Sequence, residues 1–287
     1  MPLDQLGLRP LVMGVLNVTP DSFSDGGRYI GVEAALNRAR EMAEEGADII
    51  DVGGESTRPG ADPVPVEEEL RRVIPVIKAI KGELDVPLSI DTYKAEVARA
   101  ALEAGATMVN DVSGLRFSPN MARVVAEHDA YAVVMHMKGT PRDMQKNPYY
   151  EDVVGEVKAF FQERLEHLEA QGVNLDKVIL DPGIGFGKRL EDNLILIREI
   201  PSLLELGRPL LLGPSRKTFI GQVLDLPVGE RLEGTLAVVA VAVFLGVAIV
   251  RVHDVLAARR AVDMAWALRV GSKFNVQGSA LVGRAEG

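Results

Sequence analysis

The chain has 287 residues, enough for two ordinary domains or for one α/β barrel of about 250 residues. Its 47% hydrophobic and 25% charged content is that of a globular chain with a sizeable core, and the absence of cysteine excludes disulfides, thiolate metal sites and a cysteine nucleophile. A formal net charge of -9 argues against a broad nucleic-acid surface, because phosphate neutralisation needs a concentrated positive face, so an anionic ligand has to be caught by a local basic cluster.

The first five residues carry no basic segment ahead of a long apolar run, so no signal peptide is expected and a cytoplasmic location is. Short apolar runs then predict strands at residues 11–16, 48–52, 87–90, 107–109, 132–135, 178–180, 209–212 and 248–250. Between and after them, three- and four-residue apolar spacing predicts helices at 32–45, 66–81, 94–104, 119–127, 153–171, 190–206, 230–245 and 255–268. Eight strands each followed by a helix predict an α/β fold of the (β/α)8 TIM-barrel class, a single domain over 1–270, with 271–287 as a loosely held tail. Glycine followed by a short strand and a polar residue recurs at Gly46–Asp51, Gly105–Asn110 and Gly246–Arg251, as expected where glycine ends each helix. The uncharged stretch 235–250 is shorter than the ~18–20 residues of a membrane span and is read as helix running into strand. Loops at 20–31, 56–65 and 138–150 are rich in Gly, Pro, Asp or Ser and follow strands, which puts them on one barrel face.

At or just beyond the strand ends stand Asn17, Asp51 with Glu55, Asp91, Asn110 with Asp111, His136, Asp181, Ser215 with Lys217, and Arg251 with His253. In a barrel these ends converge on one mouth, where residues from several strands build the site. Arg58, Lys217, Arg251 and His253 supply donors suited to a phosphate or diphosphate. Asp91, Asn110 and Asp181 supply an acid and amide set suited to a flat nitrogen heterocycle. The plainer alternative is that these acids pair with the same cations in a structural network. The four histidines lack metal-ligand spacing, while magnesium held by oxygens and substrate phosphate stays open. Residues 183–188, GIGFGK, lack nucleotide-loop spacing and are read as a flexible rim loop.

Seven segments in order resemble the dihydropteroate synthase family: MGVLNVTPDSFSDGG at 13–27, DVGGESTRPG at 51–60, SIDT at 89–92, NDVSG at 110–114, DPGIGFGK at 181–188, SRK at 215–217 and RVHDV at 251–255. The resemblance implies a barrel that joins 6-hydroxymethyl-7,8-dihydropterin diphosphate to 4-aminobenzoate, releasing diphosphate. It implies a pterin pocket of Asp91, Asn110, Asp181 and Lys217, and a diphosphate site of Asn17, Arg251 and His253 with Asn17 also at a magnesium ion. Thr57, Arg58 and Ser215 are implied near the diphosphate or 4-aminobenzoate, with Phe23, Pro59, Phe186 and Lys188 walling the 4-aminobenzoate pocket. Asp25 is implied to steady a cationic pterin intermediate, which makes Asp25, Asp91, Asp181 and Lys217 the expected catalytic set. A homodimer is implied, with helices 230–245 and 255–268 as its contact, and sulfonamides as competitors of 4-aminobenzoate; neither nucleic acid nor membrane is expected as a partner. Ala61 and Asp62 depart from the bulkier residues of relatives at the tip of the second loop. Rival readings are a pterin-binding methyltransferase, which needs no diphosphate cradle, a non-catalytic pterin-binding barrel, and an aldolase using Lys217 as its nucleophile.

Overall fold

A computed structural model describes residues 2–18, 28–56 and 62–271. Its strands are β1 Leu11–Asn17, β2 Ile49–Gly53, β3 Leu88–Asp91, β4 Met108–Asp111, β5 Tyr131–Met135, β6 Val178–Asp181, β7 Leu211–Leu212 and β8 Ile249–Val252. All pair in parallel in the order β6-β5-β4-β3-β2-β1-β8-β7. The two ends of that sheet meet at a parallel bridge between Leu180 and Leu210, where the Leu180 amide donates to the Pro209 carbonyl at 2.9 Å. The sheet is therefore a closed eight-stranded (β/α)8 barrel, as the alternation of patterns predicts.

The helices are α1 Arg28–Glu44, α2 Val66–Glu83, α3 Ala95–Glu103, α4 Met121–Glu127, α5 Val153–Ala170, α6 Leu190–Arg198, α7 Ile200–Leu204, α8 Thr218–Leu224, α9 Leu232–Leu245 and α10 Val255–Val270. Several features depart from the sequence pattern: α1 begins at Arg28, inside the stretch expected as loop, and β7 keeps two of the four residues expected at 209–212. The run expected as one helix at 190–206 is broken into α6 and α7, with Pro201 in the first turn of α7, where its missing N–H costs nothing. The seven-residue α8 was not expected because its sequence, TFIGQVL, is too short to establish a helical period. The three repeated glycines behave as their recurrence suggests: Gly46, Gly105 and Gly246 have φ of 95°, 115° and 120°, and each leads straight into a strand.

Strand alternation divides the core in two. One set, including Ile50, Ile90, Val109, Val134, Leu180 and Val250, packs outward against helix residues such as Met42, Ile77, Phe161 and Val239. The other set fills the barrel interior: Leu11, Met13, Ile49, Met108, Val133, Ile179, Leu211 and Ile249 form an apolar plug. Each such side chain contributes about 1.5–3 kcal/mol by leaving water. Near the start of β1, Asp48 accepts from the Val12 amide at 2.8 Å and from Arg259 of α10 at 3.0 Å, and pairs with Arg9 at 2.5 Å. That carboxylate ties the first residues, β1 and the last described helix together. Among the described residues no helix is long and apolar enough to cross a membrane.

Candidate active site

Two residues beyond the apolar plug, the same inward alternation brings polar side chains together. Ile49, Met108, Ile179 and Ile249 are followed at the second position by Asp51, Asn110, Asp181 and Arg251. Register carries the same level around the barrel, with Gly53 beside Asp91, Asp91 beside Asn110, and Met135 beside Asp181. At the end of β1 Asn17 is exposed and pairs in register with Gly53. A Cβ at Gly53 would stand 3.5 Å from Asp91 Cβ and 3.8 Å from Asn17 Oδ1, in ordinary van der Waals contact with both, so Gly53 lies between the two side chains.

An ion array organises this layer. Arg251 donates from Nε to Asp51 Oδ2 at 2.7 Å and from Nη2 to Asp91 Oδ2 at 2.7 Å. Asn110 Nδ2 donates to the same Asp51 oxygen at 2.9 Å. The plainer reading of these acids is thus partly correct: Asp91 does pair with a cation of the mouth. Burial pushes the Asp91 carboxyl up to about 7 despite Arg251, with Asp51 adding to the rise. Burial also raises the Asp181 carboxyl, against the pull of Lys217 and the Gly183 amide, which donates to Asp181 Oδ1 at 2.7 Å. Burial opposes the charge on Arg251, yet Asp51 and Asp91 hold its guanidinium firmly protonated.

Lys217 follows β7, half-buried, and its ammonium lies 4.7 Å from the centroid of the Phe186 ring while donating to the Ile184 carbonyl. Burial lowers it to about 8, with Asp181 opposing and Arg251 reinforcing the shift. Gly213 lies beside both Lys217 and Arg251: a Cβ there would stand 3.7 Å from Arg251 Cβ and 3.9 Å from Lys217 Nζ, at ordinary contact distance. The loops after β7 and β8 are joined twice: Ser215 Oγ lies 3.0 Å from His253 Nδ1, and Arg216 pairs with Asp254 at 2.6 Å. Asn17, Asp91, Asn110, Asp181, Ser215, Lys217, Arg251 and His253 therefore all stand at the C-terminal strand ends, together with Phe186 from the loop after β6.

Other expectations need correction. His136 leaves the mouth because Met135 takes the inward position; its ring sits 5.0 Å from Phe160 of α5 and 6.2 Å from Tyr150. Burial, with Lys188, Arg116 and Lys138 nearby, lowers His136 to about 2, so the ring is neutral and Nδ1 can accept. The donor is Lys188, at 3.0 Å. Lys188 is itself buried, bonded also to the carbonyls of Gly183 at 3.0 Å and Phe186 at 3.1 Å, so its ammonium holds the loop together rather than walling a pocket. Burial lowers it to about 7. Asp111 is turned into its own loop, where Oδ1 accepts from the Ser113 amide at 2.7 Å. Glu55 is engaged by Tyr93, by Lys94 and, at 2.8 Å, by the Val64 amide. Asp25, Phe23, Thr57, Arg58 and Pro59 lie outside the described residues.

The loop 183–188 is pinned, not flexible. Besides Lys188, the Gly185 amide donates to Asn193 at 2.7 Å, and the Gly185 and Gly187 carbonyls accept from Gln145 at 2.7 Å and Tyr150 at 2.8 Å. An apolar flank of Val112, Met135, Met137 and Met144, with Tyr93 and Phe186 against it, completes the mouth. Apart from Phe186 these residues escaped the sequence reading, which followed polar strand ends; the signal was Met135 and Met137 flanking His136 where β5 runs out.

A family model described as "Pterin binding enzyme" matches residues 13–253. The dihydropteroate synthase of Synechocystis sp. is 52% identical over 250 residues, 87% of this chain and 86% of that protein. That of Escherichia coli strain K12 is 48% identical, covering 86% and 87%. Among solved structures, the Yersinia pestis dihydropteroate synthase with a sulfonamide drug complex superposes with a TM-score of 0.87 at 44% identity, covering 92% of this chain and 96% of that one. The Xanthomonas albilineans dihydropteroate synthase with 4-aminobenzoic acid gives 0.85 at 48% identity, covering 91% and 93%.

Gly183 offers a local test, since it has φ of 67° and a Cβ there would lie 1.9 Å from the His136 carbonyl oxygen. Gly183→Ala should lose about 2–4 kcal/mol of stability in urea unfolding. Gly172→Ala, at φ of 80° with nothing within 4 Å, should lose only about 1 kcal/mol. Equal losses would mean that the contact with His136 does not constrain the loop.

Proposed function

The chain belongs to the dihydropteroate synthase family of pterin-binding enzymes, and from that premise we infer that it condenses 6-hydroxymethyl-7,8-dihydropterin diphosphate with 4-aminobenzoate to give 7,8-dihydropteroate and diphosphate. The observation that carries this reading is the inward layer of Asp91, Asn110, Asp181, Lys217 and Arg251 at one barrel mouth.

The carboxylate of Asp181 is read as the acceptor for the 2-amino and N3 edge of the pterin, with Lys217 donating to ring acceptors and Asn110 doing both. Asp91 completes that set. Ser215 and His253 stand where loops after the seventh and eighth strands commonly hold phosphate in this fold. Arg251 carries five N–H donors, of which Asp51 and Asp91 take two, and the donors left over support reading it as a bridge between the heterocycle and the anion. The Phe186 and Met135 side offers an apolar wall for an aromatic ring.

In the reaction the bond between the pterin methylene carbon and the diphosphate oxygen breaks, its electron pair leaving with diphosphate. The amine nitrogen of 4-aminobenzoate then bonds to that carbon and releases a proton. Fixed donors around the leaving group and acids around the electron-poor pterin stabilise charge where it develops. Asp25 is kept as the acid proposed to steady the cation, and Thr57, Arg58, Pro59 and Phe23 as first- and second-loop contacts.

We further propose magnesium as a cofactor. Among the described residues no group of three His, Asp or Glu could cage a metal, but the exposed Asn17 amide oxygen suits an ion that keeps waters and takes its other oxygens from the diphosphate. Bound there, it would neutralise charge on the departing diphosphate. Sulfonamides are proposed as competitors of 4-aminobenzoate. A homodimer is proposed through α9 and α10, where Val241, Phe244, Met264 and Leu268 are exposed and Arg269 of α10 bonds the Phe244 carbonyl at 2.8 Å, setting those turns side by side.

Purified protein given both substrates and magnesium should form dihydropteroate, followed chromatographically; no product beside an active control synthase would overturn the assignment. With Lys217 lowered to about 8, its ammonium is lost as pH rises through that value. The kcat/KM for the pterin substrate should therefore fall above about pH 8, and Lys217→Arg should remove that fall at a lower overall rate. Phe244→Asp should shift the sedimentation profile from dimer to monomer; an unchanged dimer would place the interface elsewhere.

A further inference from the structure

Asp51 is fully buried at the level of the substrate-facing layer, yet no exposed atom of it can reach a ligand. Its Oδ2 receives both the Nε of Arg251 and the Nδ2 of Asn110, while Oδ1 is buried without a partner among the described residues. One oxygen on β2 thus fixes two side chains delivered by β8 and β4, at sequence separations of 200 and 59 residues. Through its other arm Arg251 reaches Asp91 on β3, so the array spans β2, β3, β4 and β8.

We propose that Asp51 is a positioning residue for the condensation: its carboxylate sets the orientation of Arg251 and Asn110 toward the dihydropterin diphosphate without touching it. This rests on the reading of Arg251 and Asn110 as substrate contacts. The chemistry follows from the geometry. A guanidinium held only by Asp91 would compete directly for the acid that the substrate needs, because Nη2 occupies Asp91 Oδ2. With Nε anchored on Asp51, the plane of the guanidinium is retained when a ligand claims Asp91. Asn110 gains a fixed sense as well. Donation of one Nδ2 hydrogen to Asp51 fixes which side of the amide is nitrogen and leaves its carbonyl oxygen and its second N–H to a ligand. Asp51 Oδ1, Asp91 Oδ1 and the Oγ of Ser89, which pairs in register with Asp51, have no partner among the described residues, so the array is not closed on itself.

The test uses Asp51→Asn, close in shape and without the charge. Far-UV circular dichroism and a thermal melt establish that it folds. Calorimetric affinity for dihydropterin diphosphate and its KM should both weaken at least about tenfold, the smallest effect expected for losing a hydrogen bond to a charged group. Combined with Arg251→Lys, which keeps the charge but lacks the Nε–H that Asp51 receives, the loss should be smaller than the product of the two single losses. Wild-type affinity and KM in folded Asp51→Asn, even with a lowered melting temperature, would reduce Asp51 to a structural charge and overturn the proposal. So would strictly multiplicative effects. Should Asp51→Asn fail to fold, Arg251→Lys alone decides: retained affinity would show that anchoring at Nε is irrelevant. Failure of the wild-type protein to form dihydropteroate would instead strike the functional reading, so the two failures are distinguishable.

Discussion

The interior of a closed barrel has no route to solvent except at its ends, so every inward side chain must either pack against carbon or find a polar partner. In this chain the requirement is met in two successive layers. Below, residues such as Ile49, Met108, Ile179 and Ile249 close the interior with hydrocarbon. One pleat higher, Asp51, Asn110, Asp181 and Arg251 satisfy each other or face the mouth. The site is therefore a continuation of the core, held by strand register instead of by mobile loops. A carboxylate with apolar packing beneath it cannot recover hydration by shifting downward, which is why Asp91 and Asp181 hold protons more tightly than free acids do.

The same constraint assigns different work to residues of identical type. Asp91 and Asp181 face the mouth, whereas Asp111, one position out of phase, turns into its loop and Asp51 is sealed behind Arg251. Lys217 and Lys188 diverge in the same manner: one ammonium stands over Phe186 beside Asp181, the other is enclosed by the carbonyls of Gly183 and Phe186. Charge type alone does not determine role here; the parity of the position along the strand, and the loop geometry after it, do.

Much of this was legible in the chain. Alternating apolar runs yield the barrel, and polar residues after those runs mark the mouth at Asn17, Asp91, Asn110, Asp181 and Arg251. What resisted reading has physical causes. His136 looks like a mouth residue until the inward position is seen to belong to Met135, a parity that a five-residue strand followed by a loop does not announce. The helix expected at 190–206 breaks because Pro201 cannot donate to the preceding turn. Rigidity of 183–188 arises from bonds to Gln145, Tyr150 and Asn193, contacts with partners 8 to 40 residues away that composition cannot reveal. Glycine there signals close approach of backbone to backbone rather than freedom of motion.

The barrel is not uniformly stitched. The seventh strand has only two residues, and between it and the sixth the circle is completed at a single bridge from Leu180 to Leu210. Amide protons along this seam have the fewest ladder bonds to protect them from exchange with heavy water. The segments on the two flanks of the seam carry Phe186 and Lys217, joined by the cation over the ring and by the bond to Ile184, whereas the guanidinium bridge lies within the continuously paired stave from β8 through β4.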